Sequence, residues 1–217
     1  MELPQIAEST LMERNFRPGR LNVSMALAVL TIVVSLSVSY FANGQIFSTV
    51  KMPILRAYGG TTFEDIRNLE LWRLITAQLV HAKQAHMLLN AFCLFLLGSL
   101  VESRVGGWRT FLVWFIAGGI ATAISPILIE APWNVGTGAS QATFAFAGCA
   151  TVLALSSTLK RKQAWALISL VVLPGVMLDL IYGGYPKPGH VAGFVLGMLF
   201  GKLYDSRDVS GRLPQSS

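Results

Sequence analysis

Hydrophobic residues in this chain are collected into long runs that are separated by shorter polar segments. A helix of about 20 apolar residues crosses the ~30 Å hydrocarbon core of a bilayer, and most of the runs have roughly this length. The runs cover residues 21–42, 84–101, 110–129, 139–157, 163–182 and 190–204. The last run is short, but Pro188 just before it suits the first turn of a helix. The pattern therefore predicts an all-α membrane protein with a bundle of six transmembrane helices.

The amino-acid composition supports this prediction. Hydrophobic residues make up 53% of the chain and charged residues 13%, whereas a soluble domain has about 25% charged residues. The first twenty residues are polar, and the run after them is long enough to span a membrane, so we expect an anchor rather than a cleaved signal peptide. Cys93 and Cys149 lie in the middle of different runs and are predicted to be small buried residues without a disulfide.

Lysine and arginine are concentrated on one side of the predicted bundle. They precede the first run and follow the second, fourth and sixth runs, whereas the loop 43–81 is poorer in them for its length. By the positive-inside rule this distribution places both termini in the cytoplasm and predicts a multi-pass protein of the cell membrane. The net charge of +6 then reflects topology and contact with the lipid bilayer. The sequence has no basic patch with interleaved aromatic residues, so nucleic acid is not an expected partner.

The runs form one membrane domain with a short polar segment on either side. We expect a cytoplasmic N-terminus, a membrane domain and a polar cytoplasmic tail at residues 1–20, 21–204 and 205–217. The first loop mixes apolar and charged residues, which is typical of short amphipathic helices at the membrane interface. Its Trp72-Arg73 pair is predicted to anchor the loop among the lipid headgroups.

Polar side chains inside three of the runs are the clearest functional signal. Serine, histidine and asparagine are costly to bury in lipid, so we expect them to form a functional site. His86 and Asn90 are four residues apart and share one helix face. Ser140 follows Gly136 and Gly138 at a predicted helix start, where free backbone N–H groups can stabilise an oxyanion. A serine that merely lines a helix contact would give the same local pattern.

A repeat of small residues predicts that the fourth and sixth runs pack together. A glycine recurs every four residues along one face of the sixth run, at Gly193, Gly197 and Gly201. The fourth run offers a matching set of small residues, at Ser140, Ala147 and Gly148. Close packing of these faces would bring Ser140 to His190 as a nucleophile and base, with Phe144 beneath the imidazole.

Three segments resemble the motifs of the rhomboid intramembrane serine proteases. Residues 81–90 are similar to the family's H-x-x-x-x-H-x-x-x-N motif, residues 138–140 to its G-x-S motif, and residues 190–197 to its H-x-x-G-x-x-x-G motif. Residues 72–73 and 102–104 resemble two further family features. Each motif is modest alone, but their order and spacing make the combined resemblance specific.

The resemblance implies a six-helix rhomboid-like bundle with an interfacial first loop and a cavity open to the extracytoplasmic side. It also implies a serine endopeptidase that hydrolyses peptide bonds in or near transmembrane segments of other membrane proteins, without a cofactor or metal. Ser140 would be the nucleophile and His190 the general base, in a dyad without a third acid. The oxyanion would be held by His86, Asn90 and the Ser140 backbone N–H.

The chain departs from the family at two positions that would support the site beside Gly138. Gln141 stands where the family usually has glycine, and Phe144 stands where a tyrosine is common. Asp179, near the end of the fifth run, is separated from His190 by a whole loop. We therefore expect its carboxylate to bond loop N–H groups or a neighbouring tyrosine, and to have a structural role.

Other functions remain open on the sequence alone. A catalytically inactive relative that binds transmembrane helices would keep the same fold, and Gln141 is the residue that favours this alternative. A sorting protease that trims membrane anchors could share the same dyad. A proton-coupled transporter is disfavoured, because the runs contain few acids and the sequence has no inverted repeat. The spacing of the histidines also differs from the zinc-protease motif H-E-x-x-H, so no metal site is expected.

Overall fold

The structure is a computed structural model that describes residues 22–156, 159 and 161–210, with side chains up to residue 205. The predicted N-terminus lies outside these residues, as does most of the predicted tail. The described part is helical, and its only bridge of β type joins Thr61 to Gly136. The helices are α1 (Val23–Asn43), α2 (Met52–Ala57), α3 (Phe63–Arg67), α4 (Arg73–Leu79), α5 (Gln84–Val105), α6 (Gly107–Ile124), α7 (Ser140–Leu155), α8 (Arg161–Gly183) and α9 (Pro188–Ser210).

Six long helices correspond to the six hydrophobic runs. Four of them, α1, α5, α6 and α8, are long and apolar enough to cross a membrane, and α7 is a shorter apolar helix. Helix α9 begins at Pro188, two residues before the predicted run, and continues to Ser210, into the segment predicted as a tail. Proline at the start of a helix costs no hydrogen bond, because the first N–H groups have no partner within the helix.

The third predicted run extends five residues beyond the end of its helix. Helix α6 ends at Ile124 rather than residue 129, and a turn follows over residues 125–128. Pro126 accounts for this end, because proline has no backbone N–H and cannot donate to the Thr122 carbonyl as the next residue of a helix would. Leu128 in the turn has a left-handed φ of 70°. Hydrophobicity alone therefore extended the prediction into residues that are apolar but not helical.

Helix α7 is the centre of the bundle. Nearly all of its residues are buried, and it packs against α5, α6, α8 and α9. A helix that is apolar on every face is stable only when other helices surround it. Because Ser140 is the first residue of this helix, the fold places the serine at one end of the buried core.

Glycines bring the backbones of α7 and α9 into contact, as the four-residue spacing predicts. A Cβ atom added to any of four glycines, three in α9 and one in α7, would lie closer than 3.0 Å to a backbone carbonyl oxygen of the other helix. The opposing pairs are Gly193 with Gln141, Gly197 with Ala145, Gly201 with Cys149, and Gly148 with Phe194. The carbonyl groups of α7 that face these glycines are thus four residues apart. Of the predicted set, Gly148 lies in the backbone contact and Ser140 meets α9 through His190.

The first loop contains the three short helices α2, α3 and α4. Arg73 is turned into this loop, where its guanidinium donates hydrogen bonds to the carbonyl oxygens of Arg56 (2.6 Å) and Gly60 (2.7 Å). Its carbon Cζ also lies 4.4 Å from the centre of the Trp72 ring. Trp72 is exposed, as an interfacial anchor requires, whereas Arg73 holds the loop together rather than facing the headgroups.

Candidate active site

A tight turn delivers Ser140 to the start of α7. Gly138 has a φ of 96°, a left-handed conformation that favours glycine because it has no Cβ. Its N–H donates to the Ala77 carbonyl at 2.8 Å, and Gly136 exchanges backbone hydrogen bonds with Thr61. Backbone hydrogen bonds of both Gly136 and Gly138 therefore join this turn to the first loop. Since Ser140 begins the helix, its N–H is among the terminal groups that have no intrahelical acceptor.

Ser140 and His190 meet across the contact between α7 and α9. The distance from Ser140 Oγ to His190 Nε2 is 2.9 Å, and both side chains are buried. The Phe144 ring stacks on the imidazole, with the ring centres 4.3 Å apart and the planes at 3°. The other side of Phe144 has room because Gly175 of α8 has no side chain there. Phe144 thus fixes the plane of the imidazole by packing alone.

The second nitrogen of the imidazole faces Asp179. Asp179 Oδ2 lies 2.6 Å from His190 Nδ1 and accepts the Lys187 backbone N–H at 3.0 Å. The expectation that Asp179 bonds the loop instead of His190 is therefore wrong, because it bonds both. The cause is the early start of α9: with Pro188 in the first turn, His190 lies directly beside the C-terminal end of α8.

An apolar cavity of about 240 Å³ opens on one side of the Ser140–His190 pair. It lies between α5 and α8, and His86 and Asn90 lie on its α5 wall. The rest of the lining is largely aliphatic and aromatic, and includes Leu89, Phe92, Leu170, Val171, Pro174 and Leu178. Such a lining suits an apolar segment of another chain rather than a charged ligand.

A second cavity, of about 230 Å³, lies on the other side of the pair. Its lining is more polar and comes largely from the loops, with Lys83, Ser125, Thr137, Gln141 and Lys187 among its members. His86, Ser140 and His190 line both cavities. The serine and histidine therefore lie between an apolar space and a polar one, an arrangement suited to hydrolysis of a bond in an apolar polypeptide.

The sequence model of the family described as "Rhomboid domain" matches residues 68–207. This chain belongs to the rhomboid family. Together with the apolar helices, membership shows a multi-pass membrane protein. The motifs identified in the sequence all fall within the matched residues.

Relatives of this rhomboid protein include both bacterial and plant members. Rhomboid protease GluP of Bacillus subtilis is 30% identical over 147 residues, which is 66% of this chain and 28% of GluP. RHOMBOID-like protein 4 of Arabidopsis thaliana is 27% identical over 150 residues, 68% of this chain and 38% of the relative. RHOMBOID-like protein 7 of the same plant is 30% identical over 142 residues, 64% of this chain and 44% of the relative. The chain spans less than half the length of each.

Gln141 is one of the two residues by which this rhomboid site departs from the family pattern. Its side chain is buried, and its Nε2 donates to Ser125 Oγ at 3.0 Å. The Gln141 Oε1 atom lies 3.3 Å from Ser140 Oγ. The Ser140 hydroxyl thus has two acceptors within reach, His190 and Gln141, and it can donate its proton to only one of them at a time.

His81 connects the turn before Ser140 to the α5 wall. Its Nε2 accepts the Ala139 N–H at 3.1 Å and lies 3.3 Å from Asn90 Nδ2. Burial, with a smaller contribution from the nearby His86, lowers the pKa of His81 to about 3, so the ring stays neutral and can accept these bonds. His81 is not among the residues that the sequence predicted for the site. The sequence signal for a role in the site was that His81 belongs to the same motif as His86.

Cys93 and Cys149 are both free thiols. Cys149 is buried, as predicted, whereas Cys93 is only partly buried. Within the described part of the chain, no three His, Cys, Asp or Glu side chains come together as a metal site would require.

Proposed function

We propose that this protein is an intramembrane serine endopeptidase that cleaves peptide bonds in or near transmembrane segments of other membrane proteins. The observation that carries the proposal is the 2.9 Å contact between Ser140 Oγ and His190 Nε2. A serine within hydrogen-bond reach of an imidazole is the arrangement of an activated nucleophile and its base. Similarity to Rhomboid protease GluP supports the same reaction class.

The reaction begins with attack of Ser140 Oγ on the carbonyl carbon of the scissile bond, while His190 Nε2 takes the hydroxyl proton. The carbonyl oxygen becomes an oxyanion, and the Ser140 N–H, His86 and Asn90 are its proposed donors. His190 then gives its proton to the leaving amine, and an ester to Ser140 remains. In the second half, His190 takes a proton from water, the hydroxide attacks the ester carbon, and the proton returns to Ser140.

The two cavities divide substrate and water between them. The apolar cavity between α5 and α8 offers an apolar surface to a transmembrane segment of the substrate, and the polar cavity gives water access to the acyl-enzyme. We propose that α7 and α9 cross the membrane together with the other four long helices, which gives six spans. The distribution of basic residues supports our proposal that both termini lie in the cytoplasm of a cell-membrane protein, with Ser140 toward the extracytoplasmic side.

One observation favours a second candidate function, an inactive relative that binds transmembrane helices. The Gln141 amide is held by Ser125 and offers an acceptor 3.3 Å from Ser140 Oγ. If the hydroxyl donates to Gln141 rather than to His190, the serine is not activated. The fold and the apolar cavity would then serve binding alone.

A serine-reactive fluorophosphonate probe separates these two functions. We expect the purified wild-type protein in liposomes to be labelled on Ser140, because the probe reacts with serines that a neighbouring base activates. Ser140→Ala should not be labelled, and the matched control Ser103→Ala, at an exposed serine near the end of α5, should be labelled like the wild type. A folded wild-type protein that binds a transmembrane peptide without being labelled would select the binding function.

Changes in the proposed oxyanion donors should reduce turnover with little effect on binding. We expect His86→Ala and Asn90→Ala each to lower kcat by about 10²–10³-fold, because their target charge exists only in the transition state. KM should stay close to the wild-type value. The measurement is steady-state cleavage of a transmembrane substrate in liposomes.

Leu89→Ala is the matched control for these two variants. Leu89 lies on the same helix and lines the same cavity, but it has no hydrogen-bond donor. Its loss should raise KM and leave kcat nearly unchanged. If His86→Ala and Asn90→Ala instead raise KM as strongly as Leu89→Ala and preserve kcat, the two residues contact the substrate and do not stabilise the oxyanion.

A further inference from the structure

Gln141 and Ser125 form a polar pair in the wall of the second cavity. Both side chains are buried, and Gln141 Nε2 donates to Ser125 Oγ at 3.0 Å. Both residues line the polar cavity, and neither lines the apolar cavity between α5 and α8. The pair therefore places polar groups beside the nucleophile that the bond-breaking chemistry described above does not need.

The pair has hydrogen-bonding capacity that its own contacts do not use. A carboxamide has two N–H donors, and a hydroxyl can accept one bond while it donates another. Gln141 uses one N–H on Ser125, and Ser125 accepts it through Oγ. Among the described residues, the second N–H of Gln141 and the hydroxyl proton of Ser125 have no acceptor. Because both residues line the cavity, a polar side chain that enters it can supply the missing acceptor.

We propose that Gln141, held in place by Ser125, is a specificity-determining residue that selects a small hydroxyl side chain, that of serine, on the carbonyl side of the scissile bond. This proposal rests on the proposed peptidase function and names a property of its substrate. The juxtaposition that carries it is the position of Gln141 Oε1, 3.3 Å from Ser140 Oγ and in the wall of the polar cavity.

The geometry of attack determines which substrate residue lies nearest to Gln141. The oxygen of the attacked carbonyl turns toward the proposed donors on α5, and the nitrogen turns toward His190, which gives the leaving amine a proton. Gln141 lies on another side, because its amide is bonded to Ser125 at the end of α6. The residue that supplies the carbonyl stays bonded to Ser140 Oγ as the ester. Its side chain is therefore the one that remains within reach of Gln141.

A carboxamide suits a hydroxyl because it offers both a donor and an acceptor. The second Gln141 N–H can donate to the substrate hydroxyl, and Oε1 can accept from it. Once Ser140 has passed its proton to His190, Ser140 has no proton left for Oε1. The bond to the substrate thus strengthens as the acyl-enzyme forms, and its contribution should appear in kcat/KM. With alanine in place of serine, the polar groups of the pair lack this partner.

The space around Gln141 limits the size of the side chain that is selected. Gln141 stands where the family usually has glycine, so its buried side chain takes up room that glycine would leave open. The cavity of about 230 Å³ must also admit the water that hydrolyses the ester. A hydroxyl on a short side chain meets both conditions, whereas a long or aromatic side chain does not.

A purely structural role for the bond between Gln141 and Ser125 predicts a different result. The bond joins the first turn of α7 to the end of α6, so its loss would displace Ser140. A displaced nucleophile would slow the cleavage of every substrate by the same factor. Recognition of a hydroxyl changes the ratio of two substrates instead, and that ratio does not depend on how much of the protein is folded.

The first measurement is cleavage in liposomes of two transmembrane substrates that differ only in serine or alanine on the carbonyl side of the scissile bond. We expect the wild-type protein to cleave the serine substrate with a kcat/KM about 3–10-fold higher, as one ordinary hydrogen bond provides. The same exchange on the amine side should change kcat/KM by less than about twofold. Equal cleavage of the carbonyl-side pair, or a preference confined to the amine side, would overturn the proposal.

Gln141→Met keeps the length of the side chain but removes its hydrogen-bonding groups. We expect the preference for serine to fall below about twofold in this variant, and to be reduced in Ser125→Ala, which loses the group that holds the amide. The matched control is Gln84→Met, the same change at a buried glutamine that bonds Ser35 and Ser48 and lines neither cavity. It should keep the full preference. An unchanged preference in Gln141→Met would show that another group recognises the substrate.

Failure of the peptidase function gives a separate result. A wild-type protein that cleaves neither substrate contradicts the peptidase, and the selection of serine with it. A wild-type protein that cleaves both substrates equally keeps the peptidase function and loses only the selection. This comparison uses the wild-type protein alone, so it decides the proposal even if Gln141→Met does not fold.

Discussion

Ser140→Ala is expected to abolish cleavage of a transmembrane substrate in liposomes, and His190→Ala is expected to do the same. Without Ser140 Oγ no acyl-enzyme can form, and without His190 no base lies within reach of the hydroxyl proton. In serine proteases the loss of either group lowers kcat by on the order of 10⁶-fold. Ser140→Ala should remain folded, because it removes only a hydroxyl at the end of a helix contact, whereas His190→Ala leaves the buried Asp179 without one of its partners and should be less stable.

The double variant distinguishes a cooperating pair from two independent contributions. Because the serine and the histidine act as a unit, Ser140→Ala with His190→Ala should be no less active than either single variant. Ser103→Ala again serves as the control and should cleave at the wild-type rate. Cleavage by a folded Ser140→Ala protein above the background of protein-free liposomes would contradict the assignment of the nucleophile.

Much of the architecture was accessible from the sequence because it depends on local spacing. The glycines four residues apart in α9 leave one helix face without side chains wherever that helix lies, so its contact with α7 followed from the pattern. His86 and Asn90 line the same cavity because residues four apart lie on one face of a helix. The start of α7 at Ser140 followed from the glycines before it, since Gly138 favours a turn.

The contacts that the sequence did not predict depend on distances between separate elements. Asp179 reaches His190 only because α9 starts at Pro188 and the loop after α8 is short. The Gln141 amide meets Ser125 only because α6 ends before Pro126. Hydrophobicity alone gave neither helix end correctly, although Pro188 did indicate the start of α9.

The polar groups of the site support one another in a chain that links four helices, α5, α7, α8 and α9, and the loops beside them. His81 joins the turn before Ser140 to Asn90, and Asp179 joins His190 to the α8–α9 loop. Each group would be costly to bury alone, so removing one leaves its partners unsatisfied. These contacts hold the nucleophile and the base on one side of the site, and the other sides open toward the two cavities.

The contact between α7 and α9 sets the distance from Ser140 to His190, and Gly197 is its most sensitive position. A Cβ added at Gly197 would overlap the carbonyl oxygen, carbonyl carbon and Cα of Ala145. These are backbone atoms, so they cannot move aside as a flexible side chain would. We expect Gly197→Ala to destabilise the protein by about 1–3 kcal/mol, as overpacking of a core does, and Gly197→Leu to prevent assembly of the native bundle.

Activity should fall together with stability in Gly197→Ala, because pushing the helices apart separates the nucleophile from its base. A displacement of about 1 Å at reacting groups can lower the rate 10²-fold. The measurements are the thermal unfolding midpoint and the rate of substrate cleavage. Gly183→Ala is the matched control, since no atom lies within 4 Å of its added Cβ, and it should retain both properties. A Gly197→Leu protein with wild-type stability and activity would show that α7 and α9 do not meet at this face. The contact between the two helices would then not be what sets the distance from Ser140 to His190.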